Sequence, residues 1–444
     1  MKLYAPWEKV FERVSTPFEH FIHAQTTTGL VLLFMTLFAL IFANSPLVGL
    51  YNHFFHTSVD CNVGTWQLSH TIHHWINDGL MAVFFFMVGL EIKREILIGE
   101  LSNLKVALLP ILAAIGGMVF PALIYTFFNH GGVGANGWGI PMATDIAFAI
   151  SALVLLGHRV PTSLVTFLVA LAIVDDLGAV LVIAIFYTHE INFIALSLAG
   201  VMFLVMLLFN RIGIHSILAY FILGIPMWFF MLESGVHATI AGVIAAIAIP
   251  SKPKLTPTDF TNHTRNMLDE YDNYPVATDY TTHEKQKAIL INIKDKIDSV
   301  GSPASRLEHA LHLPVSLLII PLFALANAGV SIDFSAISTT LTQPISIGII
   351  FGLIFGKVIG IGGVAFLAVK LGIAKLPEHS NMQQIFGVAL LGGIGFTMSI
   401  FVADLAFLGQ ENLIFQAKIG ILVASLIAGV TGYLWLRNSS HSKL

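Results

Sequence analysis

Residues 162–187 read TSLVTFLVALAIVDDLGAVLVIAIFY, an apolar run broken only at its centre by two adjacent aspartates, Asp175 and Asp176. A hydrocarbon core of about 30 Å is crossed by roughly 20 apolar residues in a helix. This run is long enough to cross, and its two carboxyl groups then lie at mid-bilayer. Ionisable groups at that depth are costly and mark function by default.

The rest of the chain supports a membrane reading. Of 444 residues, 56% are hydrophobic and 11% charged, whereas soluble domains carry about 25% charged residues. Thirty-four Phe and 37 Gly fit the same class. A net charge of −4 gives no sign of a nucleic-acid partner, and the single cysteine, Cys61, forms no internal disulfide. The first apolar run, 28–44, follows a charged stretch and lacks a small-residue cleavage site, so it reads as an uncleaved first span.

Twelve apolar segments stand out, near 28–44, 72–95, 104–128, 134–157, 162–187, 193–210, 216–231, 234–250, 310–332, 344–370, 383–408 and 414–436. Lipid cannot satisfy open backbone groups, and these lengths exclude barrel strands, so an all-α, polytopic fold of twelve transmembrane helices is expected. With the N-terminus inside, 20 of the 22 basic residues fall in inner segments. A missed or extra span would scramble that split. Both termini are therefore placed in the cytoplasm. The expected organisation is a cytoplasmic amphipathic segment at 1–27, spans 1–8 over 28–250, a cytoplasmic insertion at 251–305, spans 9–12 over 306–437, and a cytoplasmic tail at 438–444. Within the insertion, Ile289, Ile293, Ile297 and Val300 predict an amphipathic helix over 282–300 on the inner face. Residues 253–280 read as a solvated linker.

Asp145, Asp175, Asp176 and Lys357 come from three different spans and share one depth near the midplane. Sodium, like other hard cations, takes oxygen ligands. A desolvated carboxylate titrates nearer neutrality, so one group holds either a proton or a cation, and their competition produces exchange. Asp175 and Asp176 point about 100° apart on a helix, so they need different partners. Lys357 requires a counter-charge and is the natural one.

Gly139-Ile140-Pro141 before Thr144-Asp145 interrupts span 4, and Gly392-Gly393-Ile394-Gly395 interrupts span 11. Interrupted spans at matching places in two halves point to a transporter site. Spans 3–5 start inside and spans 10–12 outside, so the triplets would be inverted repeats. Asp145 and Lys357 are suited to neutralise the half-helix ends, each worth about half a charge. The alternative is that the glycines only permit close helix packing.

Asp404 and Lys418 lie shallow on the outer side and read as a structural pair. His70, His73 and His74 read as interfacial packing in preference to a metal site. A carrier for organic carboxylates would want an arginine at mid-span, and none is there. An intramembrane aspartyl protease would need two facing aspartates on separate helices, which suits Asp145 and Asp176 less well than cation binding beside a lysine. A channel is argued against only weakly by broken helices at buried charge.

Together these residues resemble the NhaA family of bacterial sodium/proton antiporters. The stretches that carry the likeness include VGLEIKRE (88–95), GIPMATDIAFA (139–149), LAIVDDLGA (171–179), SGVHATIA (234–241), RLEH (306–309), GKVIG (356–360) and GIGFTMS (393–399). The resemblance implies an electrogenic, pH-regulated secondary transporter, not an enzyme. It would need no cofactor. It would expel Na⁺ or Li⁺ against inward H⁺ by alternating access, as a homodimer in the bacterial inner membrane. It makes Asp175 and Asp176 the ion-binding pair, with Asp176 the direct sodium ligand and Lys357 the partner of Asp175. Thr144 and Asp145 match the span-4 break, with Gly393 and Gly395 in span 11. Glu91, Arg94, Glu95, Glu308 and His309 match a cluster linked to pH activation, and His237 a histidine of the pH response. Three features depart from the pattern: the long 251–305 insertion, Ser305 where a basic residue is expected, and Asp404.

Overall fold

The structure, a computed structural model, describes residues 25–63, 66–188, 191–273, 284–331 and 334–439. The amphipathic segment expected at 1–27 and the tail at 438–444 lie almost wholly outside them. The chain is built from helices. They are α1 (Gln25–Ala43), α2 (Val48–His56), α3 (72–97), α4 (Leu104–Asn129), α5 (Ile146–Val154), α6 (Thr162–Phe186), α7 (Phe193–Ile212), α8 (Ile217–Glu233) and α9 (Thr239–Ala248). After the insertion helices α10 (Pro257–Asp272) and α11 (Glu284–Val300) come α12 (Pro303–Asn327), α13 (Phe334–Leu341) and α14 (Pro344–Lys370). The chain ends with α15 (Met382–Leu391), α16 (Phe396–Ala406) and α17 (Glu411–Ser439).

Local signals set the ends. Asn192 caps α7 by accepting from the Ile194 and Ala195 amides. Gly213, at φ 84°, ends it in the left-handed region that glycine adopts without strain. Asn381 and Gln384 form a capping box at the start of α15.

Among the described residues, eight helices are long and apolar enough to cross a membrane, and α15 with α16, bent by 49°, makes a ninth. α8 and α9 are apolar but shorter. α3 has the length, yet it carries Glu91, Lys93, Arg94 and Glu95 in its last turns. Large apolar side chains such as Phe34, Leu123, Ile185, Leu204, Ile222 and Leu426 face outward. That surface is at home only in lipid, so this is a multi-pass membrane protein.

Three features differ from the sequence reading. Between α2 and α3, Ser58–Val63 pairs antiparallel with Trp66–Thr71, a small two-stranded feature on an otherwise all-α membrane protein. Residues 257–272, read as linker, are helical. Thr256 accepts from the Asp259 amide as N-cap and Pro257 occupies the first turn, both strong start signals. Helix α11 forms as expected, but it packs on α10; Ile289 is buried while Ile297 stays exposed. Two amphipathic helices thus cover each other, which neither stripe reveals alone.

Helix α4 crosses α14 very closely. A Cβ on Gly116 would overlap the Gly360 carbonyl, and one on Gly356 would overlap Pro121. Only glycine permits that approach, and it brings Lys357 of α14 to the centre of the bundle.

Candidate ion-exchange site

Two interrupted helices meet at the centre. The 3-10 stretch Ala135–Met142 leads through extended Ala143–Asp145 into α5. Residues 392–395 separate α15 from α16. The two gaps are stitched together: Asp145 N donates to the Ile394 carbonyl (2.6 Å), Thr144 Oγ1 to the Gly392 carbonyl (3.0 Å), and Ser399 Oγ to the Ile140 carbonyl (2.9 Å). Unwound backbone leaves amides and carbonyls that lipid cannot satisfy, and each gap here supplies partners for the other.

Asp145 caps both inner helix starts. Its Oδ1 accepts from the Phe148 amide of α5 (3.1 Å); its Oδ2 accepts from the Thr397 amide (3.1 Å) and hydroxyl (2.5 Å) of α16. One buried carboxylate therefore meets the positive ends of two half-helices.

Lys357 does the opposite work. Its ammonium donates to the Met142 carbonyl at the end of the 3-10 stretch, to Thr144 Oγ1 (2.9 Å) and to Asp175 Oδ2 (2.8 Å). Three donors find three acceptors, which makes a fully buried lysine tolerable. Lys357 lies between two π-turns, Gly352–Gly356 and Val358–Gly363, a local widening frequent at functional positions.

Asp175 and Asp176 sit on one helix, α6, and face different ways. Asp175 is held by Lys357. Asp176 is buried, and its Oδ2 has no hydrogen-bond partner among the described residues. A cavity of about 320 Å³ runs from Asp176, Asp145 and Thr397 to Glu91, Arg94 and Glu308. Asp176 lines it and Asp175 does not.

The glycines of the second gap serve both readings offered by the sequence. A Cβ on Gly393 would overlap the Leu353 carbonyl of α14, and one on Gly395 would overlap the Ser399 hydroxyl. The gap is open and tightly packed at once.

At the far end of the cavity, Arg94 pairs with Glu308 and, at 2.9 Å, with Glu95. Glu95 also accepts from the Glu100 amide (3.0 Å), closing the turn after α3. Glu91 lines the cavity beside them. His309 is exposed beside Glu308. His237 is not brought to this cluster: it lies in the bend before α9, with Nε2 2.8 Å from the Tyr187 carbonyl at the end of α6. Asp404 and Lys418 pair at 3.3 Å between α16 and α17.

Sequence reasoning missed two contributors. Thr397 stands two residues beyond the span-11 glycines, in the first turn where an amide and a hydroxyl together reach a carboxylate. Its signal was position after the break. Lys93 donates to the Ile247 carbonyl (2.7 Å) and to that of Ile249, closing the end of α9. It looked like one more inner-surface base.

Half-helices crossed at buried, oppositely charged groups, with a carboxylate on a cavity, define a secondary ion transporter and not an enzyme. The chain belongs to the Na⁺/H⁺ antiporter 1 family, which it matches over residues 19–436. It is 69% identical to the Na⁺/H⁺ antiporter NhaA of Sulfurimonas denitrificans, over 98% of both chains. It is 48% identical to Na⁺/H⁺ antiporter NhaA 1 of Saccharophagus degradans (98% of this chain, 94% of that one). It is also 48% identical to the Na⁺/H⁺ antiporter NhaA of Dichelobacter nodosus (97% and 93%). The general activity is Na⁺/H⁺ exchange across a membrane.

Proposed function

We propose that Asp176 is the group at which Na⁺ and H⁺ compete, and that Asp175 alternates between Lys357 and a proton. The carrying observation is the asymmetry of the pair: each carboxylate has one oxygen without a hydrogen-bond partner among the described residues, but Asp176 lines the cavity, while Asp175 stands off it and is engaged by Lys357. A desolvated carboxylate with free lone pairs is stabilised by a proton or by a hard cation, and by only one at a time. Two carboxylates serving one cation make the cycle electrogenic, with more protons than sodium ions moved. Lithium, a smaller hard cation, is carried by the same chemistry.

Asp145 and Thr144 act as positioning residues. They fix the crossing of the two gaps, so either half can tilt about it in alternating access. Gly393 and Gly395 keep that crossing slender. Glu91, Arg94, Glu95, Glu308 and His309 form a charged mouth whose ion pairs set the pH response, and His237 contributes from the opposite end. The nine long spans together with α3, α8 and α9 make twelve. Spans 3–5 and 10–12 are related as inverted repeats about the crossing. The gathering of basic residues at the Arg94 end supports the reading that this end and both termini face the cytoplasm, in the inner membrane of a bacterium. The working unit is a homodimer.

The test is a proteoliposome assay comparing Na⁺, Li⁺ and K⁺ between pH 6 and 9, with wild type beside Asp176→Asn. Loss of exchange in a folded variant is expected. Normal exchange in that variant would overturn the site.

A further inference from the structure

The cavity that holds Asp176 is also lined by Met81, Phe84 and Phe323. Phe84 and Phe323 are the ends of a continuous plug of four rings: Phe84 meets Phe85 (centroids 5.1 Å apart), Phe85 meets Phe401 (5.7 Å), and Phe401 meets Phe323 (6.1 Å). Phe85, Phe323 and Phe401 are fully buried. They come from α3, α12 and α16, helices that also supply Glu91, Glu308 and Thr397 to the cavity.

Further along α3 and α12, two turns from Phe84 and one turn from Phe323, the packing turns polar. Asn327 Nδ2 donates to Asn77 Oδ1 (2.8 Å), and Asn77 Nδ2 lies 3.3 Å from Asn327 Oδ1. Asn327 Nδ2 also reaches the Phe323 carbonyl (3.0 Å), and His73 Nε2 lies 2.9 Å from Asn327 Oδ1. A reciprocal amide pair thus ties α3 to α12. Asp404, three residues beyond Phe401, ties α16 to Lys418 of α17.

We propose that these two layers are the gate on the side opposite the Arg94 mouth: the phenylalanine plug seals Asp176, and the Asn77–Asn327 clasp holds the plug shut. This rests on the reading of Asp176 as the exchange site. The plug consists of apolar rings without charge, so it stops both ions and water-borne protons. The clasp consists of hydrogen bonds between two uncharged amides, each of modest net strength. That is strong enough to bias a closed state and weak enough to break in every cycle. An ion pair at the same place would hold harder and would leave two desolvated charges when it parted. The charged Asp404–Lys418 pair sits instead between α16 and α17, two helices already packed along their length. It braces α16 as the clasp opens.

The test uses the full chain with Cys61→Ser and with Asn77→Cys and Asn327→Cys together, joined by a short bifunctional methanethiosulfonate. Exchange in proteoliposomes should be lost on cross-linking and regained on reduction. Na⁺-dependent thermal stabilisation should persist in the cross-linked protein, because the Arg94 mouth still reaches Asp176. Unchanged exchange after complete cross-linking overturns the gate. Loss of Na⁺ stabilisation with exchange overturns it too, because the clasp would then belong to the ion site. Should the double variant not fold, Phe401→Ala is measured by downhill ²²Na⁺ flux without counter-moving protons. A gate predicts an added leak, and a tight variant with normal coupling overturns it. Failure of the Asp176 reading shows separately, as exchange retained by Asp176→Asn.

Discussion

Lys357 reaches Asp175 across 2.8 Å and leaves its neighbour Asp176 unpaired. Two residues that look equivalent in sequence are therefore in opposite electrostatic situations. One is half of a buried ion pair; the other is a lone carboxyl on a cavity. The division of labour proposed above follows from this difference.

Removing one partner of a buried pair strands the other. Asp175→Asn should therefore destabilise the protein by about 3–5 kcal/mol, seen as a lower melting temperature in detergent. Asp175→Asn with Lys357→Met should recover part of that loss, because no bare charge remains. Unchanged melting in the single variant would argue against the pair.

Asp176→Asn should behave in the reverse way. The side chain has no partner to lose, so melting should hold while exchange disappears. A matching fall in stability and activity would show that Asp176 is structural.

Thr397→Val keeps the shape of the side chain but deletes the hydroxyl that donates to Asp145. Hydrogen bonds to charged groups contribute about 1.5–3 kcal/mol, and a loss of that size is expected by thermal melting. Thr397→Ser should keep the donor and most of the stability. Equal losses in both variants would point to the methyl group in place of the hydroxyl.

Gly360→Val tests the crossing of α4 and α14. A Cβ at Gly360 would overlap the Gly116 backbone, which cannot move aside without separating the helices. Folded yield, read by gel filtration, should collapse, whereas Gly200→Val, where a Cβ meets nothing within 4 Å, should be neutral. A well-folded Gly360 variant would remove the case for close approach.

The hairpin carries a pH effect of known sign. Burial and the neighbouring His74 hold the His70 imidazole below its ordinary pKa, partly offset by Asp78 and Glu233. The folded hairpin then disfavours protonation. Its stability should be full above the unfolded histidine value of about 6.5 and should fall as the pH drops below it. Amide protection factors in the strand Trp66–Thr71, corrected for the intrinsic pH dependence of exchange, should fall below pH 6 in wild type and much less in His70→Gln. Unchanged protection in wild type would refute the shift.

Much of this site was legible in the chain because a membrane simplifies the reading. Apolar length marks a span, and a charge in mid-span has to be explained, so Asp145, Asp175, Asp176 and Lys357 stood out at once. The glycines and Pro141 marked the two breaks for the same reason. The hairpin at 58–71 and the helix at 257–272 were less visible, because outside the bilayer no length rule separates helix, strand and linker. Their local signals, the Thr256 cap and Pro257, are short and compete with the polar composition around them.

Sequence alone determined that charges meet at one level and that Asp175 and Asp176 diverge, since depth and helical angle follow from position along the chain. Helical position alone left open which aspartate Lys357 takes, a choice only the resemblance supplied; that Asp145 caps two helices at once and that Thr397 completes that cap came only from the tertiary structure. Those contacts depend on the rotation and approach of α6, α14 and the two broken spans. The glycine crossing of α4 on α14 fixes that geometry, and no single segment carries it.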